Sequence, residues 1–276
     1  MAETLRAACV QMTSGPDIQE NIETVTRLIR EAAKRGSTFI TTPENTCHLR
    51  FPAAQKMVSS LSQEELLERT QFSALAKELG ITLLIGSMAV KIGDKILNRS
   101  FFFAPDGTLK ANYDKIHLFD VQLPSGEVHK ESDVMQGGAI AQVAGIVDDF
   151  TAGLSICYDL RFAHLFRDLA NAGANVLCVP SAFTVPTGQA HWEVLLRARA
   201  IETGSFVIAP AQVGEHEGGR TTYGHSIIIS PWGKVLAQIE EGEGVIVADL
   251  DINDVKTARS AIPALSHDRD YKVQKA

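Results

Sequence analysis

The chain has 276 residues, 45% hydrophobic and 21% charged, enough to bury a substantial core without disulfides or metal. Its net charge of −7 and the absence of a basic run interleaved with aromatics exclude general affinity for nucleic acid or an anionic membrane surface.

Strand and helix signals alternate. Leu5 to Met12 reads as a buried strand. Asp17 with Glu20 resembles a capping box; Ile18, Ile22, Val25, Ile29 and Ala32 then keep helical spacing up to a stop at Gly36. Phe39 to Thr42 is a short strand ending at Pro43. Ser62 with Glu65 opens a helix that closes at Gly80. Ile81 to Val90 and Ile96 to Phe103 are strands, and Pro105-Asp106-Gly107 turns into Leu109 to Tyr113. The second half repeats this order: a strand at Gly153 to Ile156, a helix from about Arg161 to Gly173, and a strand at Asn175 to Val179. His191 to Thr203 then reads as a helix. Phe206 to Ala209, His225 to Ile229, Val235 to Gln238 and Val245 to Asp251 are strands.

The halves match segment by segment. "RGSTFITTPE" answers "AGANVLCVPS", "LGITLLIGSM" answers "TGSFVIAPAQ", and "RSFFFAPDGTL" answers "HSIIISPWGKV". Two such halves can stack sheet on sheet with helices outside, giving a four-layer α-β-β-α sandwich as a single domain over residues 1–276. A doubly wound single sheet is the alternative. No Gly-x-Gly-x-x-Gly or phosphate-binding loop supports nucleotide binding.

The cysteines at 9, 47, 157 and 178 form no C-x-x-C or Cys/His ligand pattern, so no metal site is expected. Met1 to Met12 carries no basic leader or cleavage site, which points to a cytoplasmic protein with reduced thiols. The longest uncharged run, Leu169 to Trp192, is interrupted by Asn171, Asn175, Pro180, Pro186 and Gln189 and cannot span a membrane. Asn98-Arg99-Ser100 matches the glycosylation pattern by chance in a chain without a secretory signal.

Three strand ends carry reactive residues: Glu44, Lys115 and Cys157. An acid, an ammonium and a thiol at such places form a plausible nucleophilic set, with a helix start and a nearby ammonium both favouring thiolate. Taken singly, each has a plainer reading: a helix cap, a solvated charge, a small core residue. Two other nucleophile readings compete. Gly153-Leu154-Ser155-Ile156-Cys157 begins like a serine elbow but lacks the final glycine. A papain-like pair would need His117, His191 or His225, without the papain-type context around the cysteine.

Around Cys157, "LSICYDLRF" resembles the cysteine motif of the nitrilase superfamily of carbon–nitrogen hydrolases. "TTPENT" is similar to its glutamate motif and "YDKIHLFD" to its lysine motif, in the same order. "PSAFTVPTGQAHWEVLLRARAIET" and "TTYGHSIIISPWGKVLA" extend the resemblance over essentially the whole chain. The resemblance implies the α-β-β-α fold, with Cys157 as nucleophile, Glu44 as general base and Lys115 as cationic stabiliser. It also implies a second glutamate after the lysine. "HKESDVMQGG" offers Glu131, favoured by its place before Gly137-Gly138, with Glu127 as the rival. The Tyr158 backbone N–H would share the oxyanion with Lys115.

The resemblance further implies a small-molecule amide substrate, no metal or organic cofactor, and a homodimer. The local sequences are most similar to the amidase branch acting on 2-oxo acid amides, deaminated glutathione or 2-oxoglutaramate; Cys47–Pro52 departs from that branch. Arg161 is a candidate anchor for the substrate carboxylate, or else an ion-pair partner of Asp159. A binding protein that has lost catalysis is the non-enzymatic reading; all three motif residues being present opposes it.

Overall fold

In the computed structural model, which describes residues 3–49, 61–123 and 126–275, side-chain alternation along the strands divides the core. On β1 (Thr4–Gln11), Leu5, Ala7 and Cys9 face the second sheet, while Ala8 and Val10 face helix α1 (Ile18–Lys34). The same alternation runs through β2 (Phe39–Thr41), β3 (Thr82–Ile92) and β4 (Lys95–Phe103). Phe39, Leu84 and Phe102 point inward, and Ile40, Leu83, Ile85, Phe101 and Phe103 point to the helices.

The first sheet continues through β5 (Leu109–Asp114), and a hairpin of β6 (Asp120–Gln122) and β7 (Val128–Lys130) follows. The second sheet holds β8 (Gln142–Val147), β9 (Phe150–Leu154), β10 (Val176–Cys178) and β11 (Phe206–Ala209). After the small ribbon β12 (Val213–Glu215) and β13 (Thr221–Tyr223), it is completed by β14 (Ser226–Ile229) and β15 (Val235–Ile239). The last strand, β16 (Gly244–Asp251), returns to the first sheet. The strand orders are β16-β1-β2-β3-β4-β5 and β15-β14-β11-β10-β9-β8. Two sheets with helices outside make the four-layer sandwich, and the single-sheet alternative is set aside.

The halves exchange edge strands. β8 follows β5 yet pairs antiparallel with β9, and β16 follows β15 yet pairs antiparallel with β1. The sequence reading had no strand at 142–147, because Gly145 and the bulge between Gly145 and Val147 dilute its apolar pattern. Each sheet thus takes its outer strand from the other half.

Helix boundaries differ from expectation in two places. Ser62 and Glu65 form a reciprocal capping box, but the helix breaks at Gln71 (φ 54°) into α2 (Gln63–Thr70) and α3 (Phe72–Leu79). In the second half α4 (Ala163–Asn171) is followed by α5 (Val185–Thr203), which begins six residues before His191. Pro186 sits in its first turn, where a missing N–H leaves no bond unmade. α6 (Ile252–Ala261), capped by Asp251, was not expected. Among the described residues no helix is long and apolar enough to cross a membrane.

Candidate active site

Glu44 stands three residues beyond β2, on a turn fixed from both halves. Asn45 takes a left-handed conformation (φ 58°), and its N–H donates to Ser87 Oγ at 2.9 Å. Gln212, from the second half, donates to the Glu44 carbonyl at 2.9 Å. The turn lies so close to β3 that a Cβ on Gly86 would stand 2.0 Å from the Thr42 carbonyl oxygen. Only glycine allows that approach.

Lys115 follows β5, with Nζ 3.0 Å from Glu44 Oε1 and 2.8 Å from Glu131 Oε2. Its side chain is 2% exposed. Burial disfavours the ammonium, but the charges of Glu131 and Glu44 outweigh this and hold its pKa well above the ordinary value. Glu131 opens a short 3₁₀ turn after the hairpin and also accepts from the Phe119 N–H at 2.7 Å. Glu127 pairs instead with His129, at 2.9 Å, and is not among the residues that line the cavity. The glycines used to choose between them have a packing role. A Cβ on Gly138 would meet the Asp114 carbonyl oxygen at 2.3 Å, and the Gly138 N–H donates to the Lys115 carbonyl.

The sequence reading missed Asn98, on β4. Its amide nitrogen donates to Glu44 Oε1 at 2.9 Å and lies 3.4 Å from Glu131 Oε1. Asn98 is buried, so the match to a glycosylation pattern has no bearing on this surface.

Cys157 ends the segment after β9 and is itself left-handed, φ 52°. A residue with a Cβ is strained there by roughly 1–3 kcal/mol. The strain falls on the cysteine, where a serine elbow would place it on its nucleophile's turn. The helix start expected here is a single 3₁₀ turn, Cys157–Arg161, and α4 begins only at Ala163. Ala182 N–H donates to the sulfur, and the thiol shares a hydrogen bond with Glu44. Burial pushes the Cys157 thiol up, the Glu44 charge adds to this, and Lys115 pulls it down; the balance stays above the ordinary 9.0. Burial and the Glu44 charge thus oppose the thiolate that Lys115 favours, and Glu44 stands beside the sulfur as a base.

Asp159 ties the lysine and cysteine segments together. It accepts from Tyr113 OH at 2.7 Å, from the His117 N–H at 3.0 Å and from the Ile156 N–H at 2.9 Å. His117 Nδ1 lies 2.7 Å from the same carboxylate, with its ring stacked on Phe162. Asp159 is thus engaged away from Arg161. Ser155 donates to the Cys178 carbonyl in the core, and His225 stacks on Tyr223, so neither serves the competing nucleophile readings.

Glu44, Lys115, Glu131, Cys157, Tyr158 and Arg161 all line one cavity of about 280 Å³. Arg220, also missed from sequence, lines it too and donates to the Ala182 carbonyl at 3.2 Å. A cation in a loop between two glycine-flanked strands gives no signal of its own. Residues 50–52 of the segment beside Glu44 lie outside the described residues. Among the described residues no three His, Cys, Asp or Glu side chains gather as a metal site would need.

A model of the carbon–nitrogen hydrolase family matches residues 6–260. The chain is 39% identical to a deaminated glutathione amidase of Synechocystis over 265 residues, covering 95% of this chain and 97% of that protein. It is 40% identical to the human deaminated glutathione amidase over 276 residues, covering 96% of this chain and 82% of that protein. Among solved structures it is similar to Saccharomyces cerevisiae Nit3, a member of branch 10 of the nitrilase superfamily, with a TM-score of 0.85 and 29% identity. The match covers 95% of this chain and 96% of that one. A buried Glu–Lys–Glu cluster beside a thiol, on a two-sheet sandwich matched along nearly its whole length, leads to one conclusion: the chain belongs to the carbon–nitrogen hydrolase family, and is a hydrolase of carbon–nitrogen bonds other than peptide bonds.

Proposed function

We propose that the chain is a thiol amidase that hydrolyses deaminated glutathione through a Cys157 thioester. The observation that carries the chemistry is the Lys115 ammonium held between Glu44 and Glu131 in the cavity that Cys157 also lines. The substrate follows from the names of the relatives at about 40% identity.

An amide has a poor electrophile and a poor leaving group. Cys157 gives its proton to the Glu44 carboxylate as the sulfur attacks the carbonyl carbon. The oxyanion develops against the Lys115 ammonium and the Tyr158 N–H, each such donor contributing about 3 kcal/mol. Collapse breaks the carbon–nitrogen bond, and Glu44 returns its proton to the departing nitrogen. A thioester remains. Glu44 then takes a proton from water, hydroxide adds to the thioester, and collapse expels the sulfur, which recovers the proton. Glu131 and Asn98 keep Lys115 and Glu44 in register throughout.

An omega-amidase acting on 2-oxoglutaramate is the alternative, since both substrates leave the same 2-oxoglutaryl group on the cysteine. We also infer a homodimer in the cytoplasm. Exposed Val194, Ile201 and Trp232 support a buried partner face, and four free buried cysteines suit a reducing compartment. The test is a panel of small amides assayed for amine or ammonia release, with Cys157→Ala as control. Deaminated glutathione should lead and 2-oxoglutaramate follow; a neutral aliphatic amide or a nitrile in first place would overturn the substrate reading.

A further inference from the structure

Four cations line the cavity, Lys115, Lys130, Arg161 and Arg220, against two carboxylates, Glu44 and Glu131. The chain as a whole is at −7. The cavity is therefore locally positive by two charges in an acidic protein, which favours a ligand carrying two negative charges. Lys115 is engaged by both carboxylates. The two guanidiniums are the groups shaped to bind a carboxylate through paired N–H donors.

They stand in different surroundings. Arg220 donates to the Ala182 carbonyl, and the N–H of that same residue meets the Cys157 sulfur. Its charge is felt by Glu44, Cys157, Glu127 and Glu131. Arg161 lies toward the outside. Its guanidinium carbon is 5.7 Å from the Tyr158 ring and 5.8 Å from the Phe183 ring, and its Nη atoms are 3.4 Å from Nδ1 of exposed His191.

We propose that the two arginines read opposite ends of the substrate. Arg220 holds the carboxylate of the acyl group, and Arg161 holds the carboxylate of the leaving amine. This rests on the 2-oxo acid amide reading above and moves the acyl anchor from Arg161, expected from sequence, to Arg220. The reason is mechanical. The acyl group stays bonded to sulfur while water enters, so its anchor must lie beside the sulfur, as Arg220 does through Ala182. The amine must depart to solvent, and Arg161 stands beside exposed His191.

The test uses kcat/KM for two substrates, deaminated glutathione with both carboxylates and 2-oxoglutaramate with the acyl carboxylate alone. Arg220→Met should lower both by about 100-fold and leave their ratio unchanged within about threefold. Arg161→Met should lower the ratio of deaminated glutathione to 2-oxoglutaramate by about tenfold, because an exposed pair is weaker. If Arg220→Met does not fold, Arg220→Lys keeps the charge but loses the fork, and should still lower both alike by about tenfold. Exchanged effects of the two arginines, or no effect of Arg220 replacement on either substrate, would overturn the assignment. A wild-type enzyme that prefers a neutral amide to both acids would instead overturn the substrate reading, and this is visible before any variant is made.

Discussion

Asn98 donates its side-chain amide to Glu44 at 2.9 Å while the same nitrogen faces Glu131 at 3.4 Å, so one neutral residue spans the two carboxylates that hold Lys115. The backbone carbonyl of Asn98 also accepts the Lys115 N–H. The β4–β5 pairing therefore sets both ends of the cluster. Asn98→Ala should lower kcat by about 10- to 100-fold with little change in KM, as expected when a general base is displaced and binding is not. Equal kcat for Asn98→Ala and wild type would show that Asn98 does not order the two glutamates.

Glu44, Lys115 and Cys157, which line one cavity, are legible in the sequence because each follows a strand, and strand ends are visible as breaks in period-2 patterning. Asn98 was not, because it lies inside β4 among residues that read as ordinary strand. Asp159 was visible only as a possible partner of Arg161; its real partners, Tyr113 and His117, come from another segment. The internal repeat revealed two sheets but not their exchange of β8 and β16, which depends on where a chain segment travels and not on its local pattern. The electrostatics of Cys157 are only partly legible for the same reason: a nearby ammonium shows in the sequence, while burial and the Glu44 charge that oppose it are properties of the folded site.

Removing the central cation tests the charge roles. Lys115→Met should lower kcat by at least about 1000-fold through loss of the oxyanion donor and of the charge that orders Glu44. It also removes the ammonium that pairs directly with both Glu44 and Glu131, so the thermal midpoint should fall, not stay at the wild-type value. Glu131→Gln should be severely impaired and Glu127→Gln nearly normal. Steady-state kinetics of the pair decides between them, and the reverse order would reassign the second glutamate.

Iodoacetamide should label Cys157 before the other three cysteines. The sulfur lines the cavity and has Glu44 as proton acceptor, whereas Cys9, Cys47 and Cys178 are sealed in the core. Selectivity here comes from access and a neighbouring base, since all four thiols are pushed above the ordinary 9.0 chiefly by burial. Peptide mapping after brief exposure gives the order; early modification of Cys47 would contradict it.

The same raised thiols make stability depend on alkaline pH. Above pH 9 the unfolded chain sheds thiol protons that the folded chain keeps, with Cys9 held up to about 12. The unfolded state then binds fewer protons, so stability is present below pH 9 and is lost as pH rises. Each fully buried thiol should contribute a loss of roughly 1.4 kcal/mol per pH unit in that window. Cys178→Ala should flatten the fall in unfolding free energy between pH 9 and 10.5 by about that amount per unit. Identical slopes for the variant and wild type would show that Cys178 does not titrate differently in the two states.

The covalent step is open to direct observation. Wild-type enzyme mixed with saturating 2-oxoglutaramate, quenched in acid within a turnover and digested, should yield the Cys157 peptide heavier by one 2-oxoglutaryl group. Hydroxylamine should remove that group, as it does from a thioester, and Cys157→Ala should carry none. Steady turnover with no acyl group on Cys157 at any quench time, or an acyl group on another residue, would contradict the Glu44–Lys115–Cys157 mechanism.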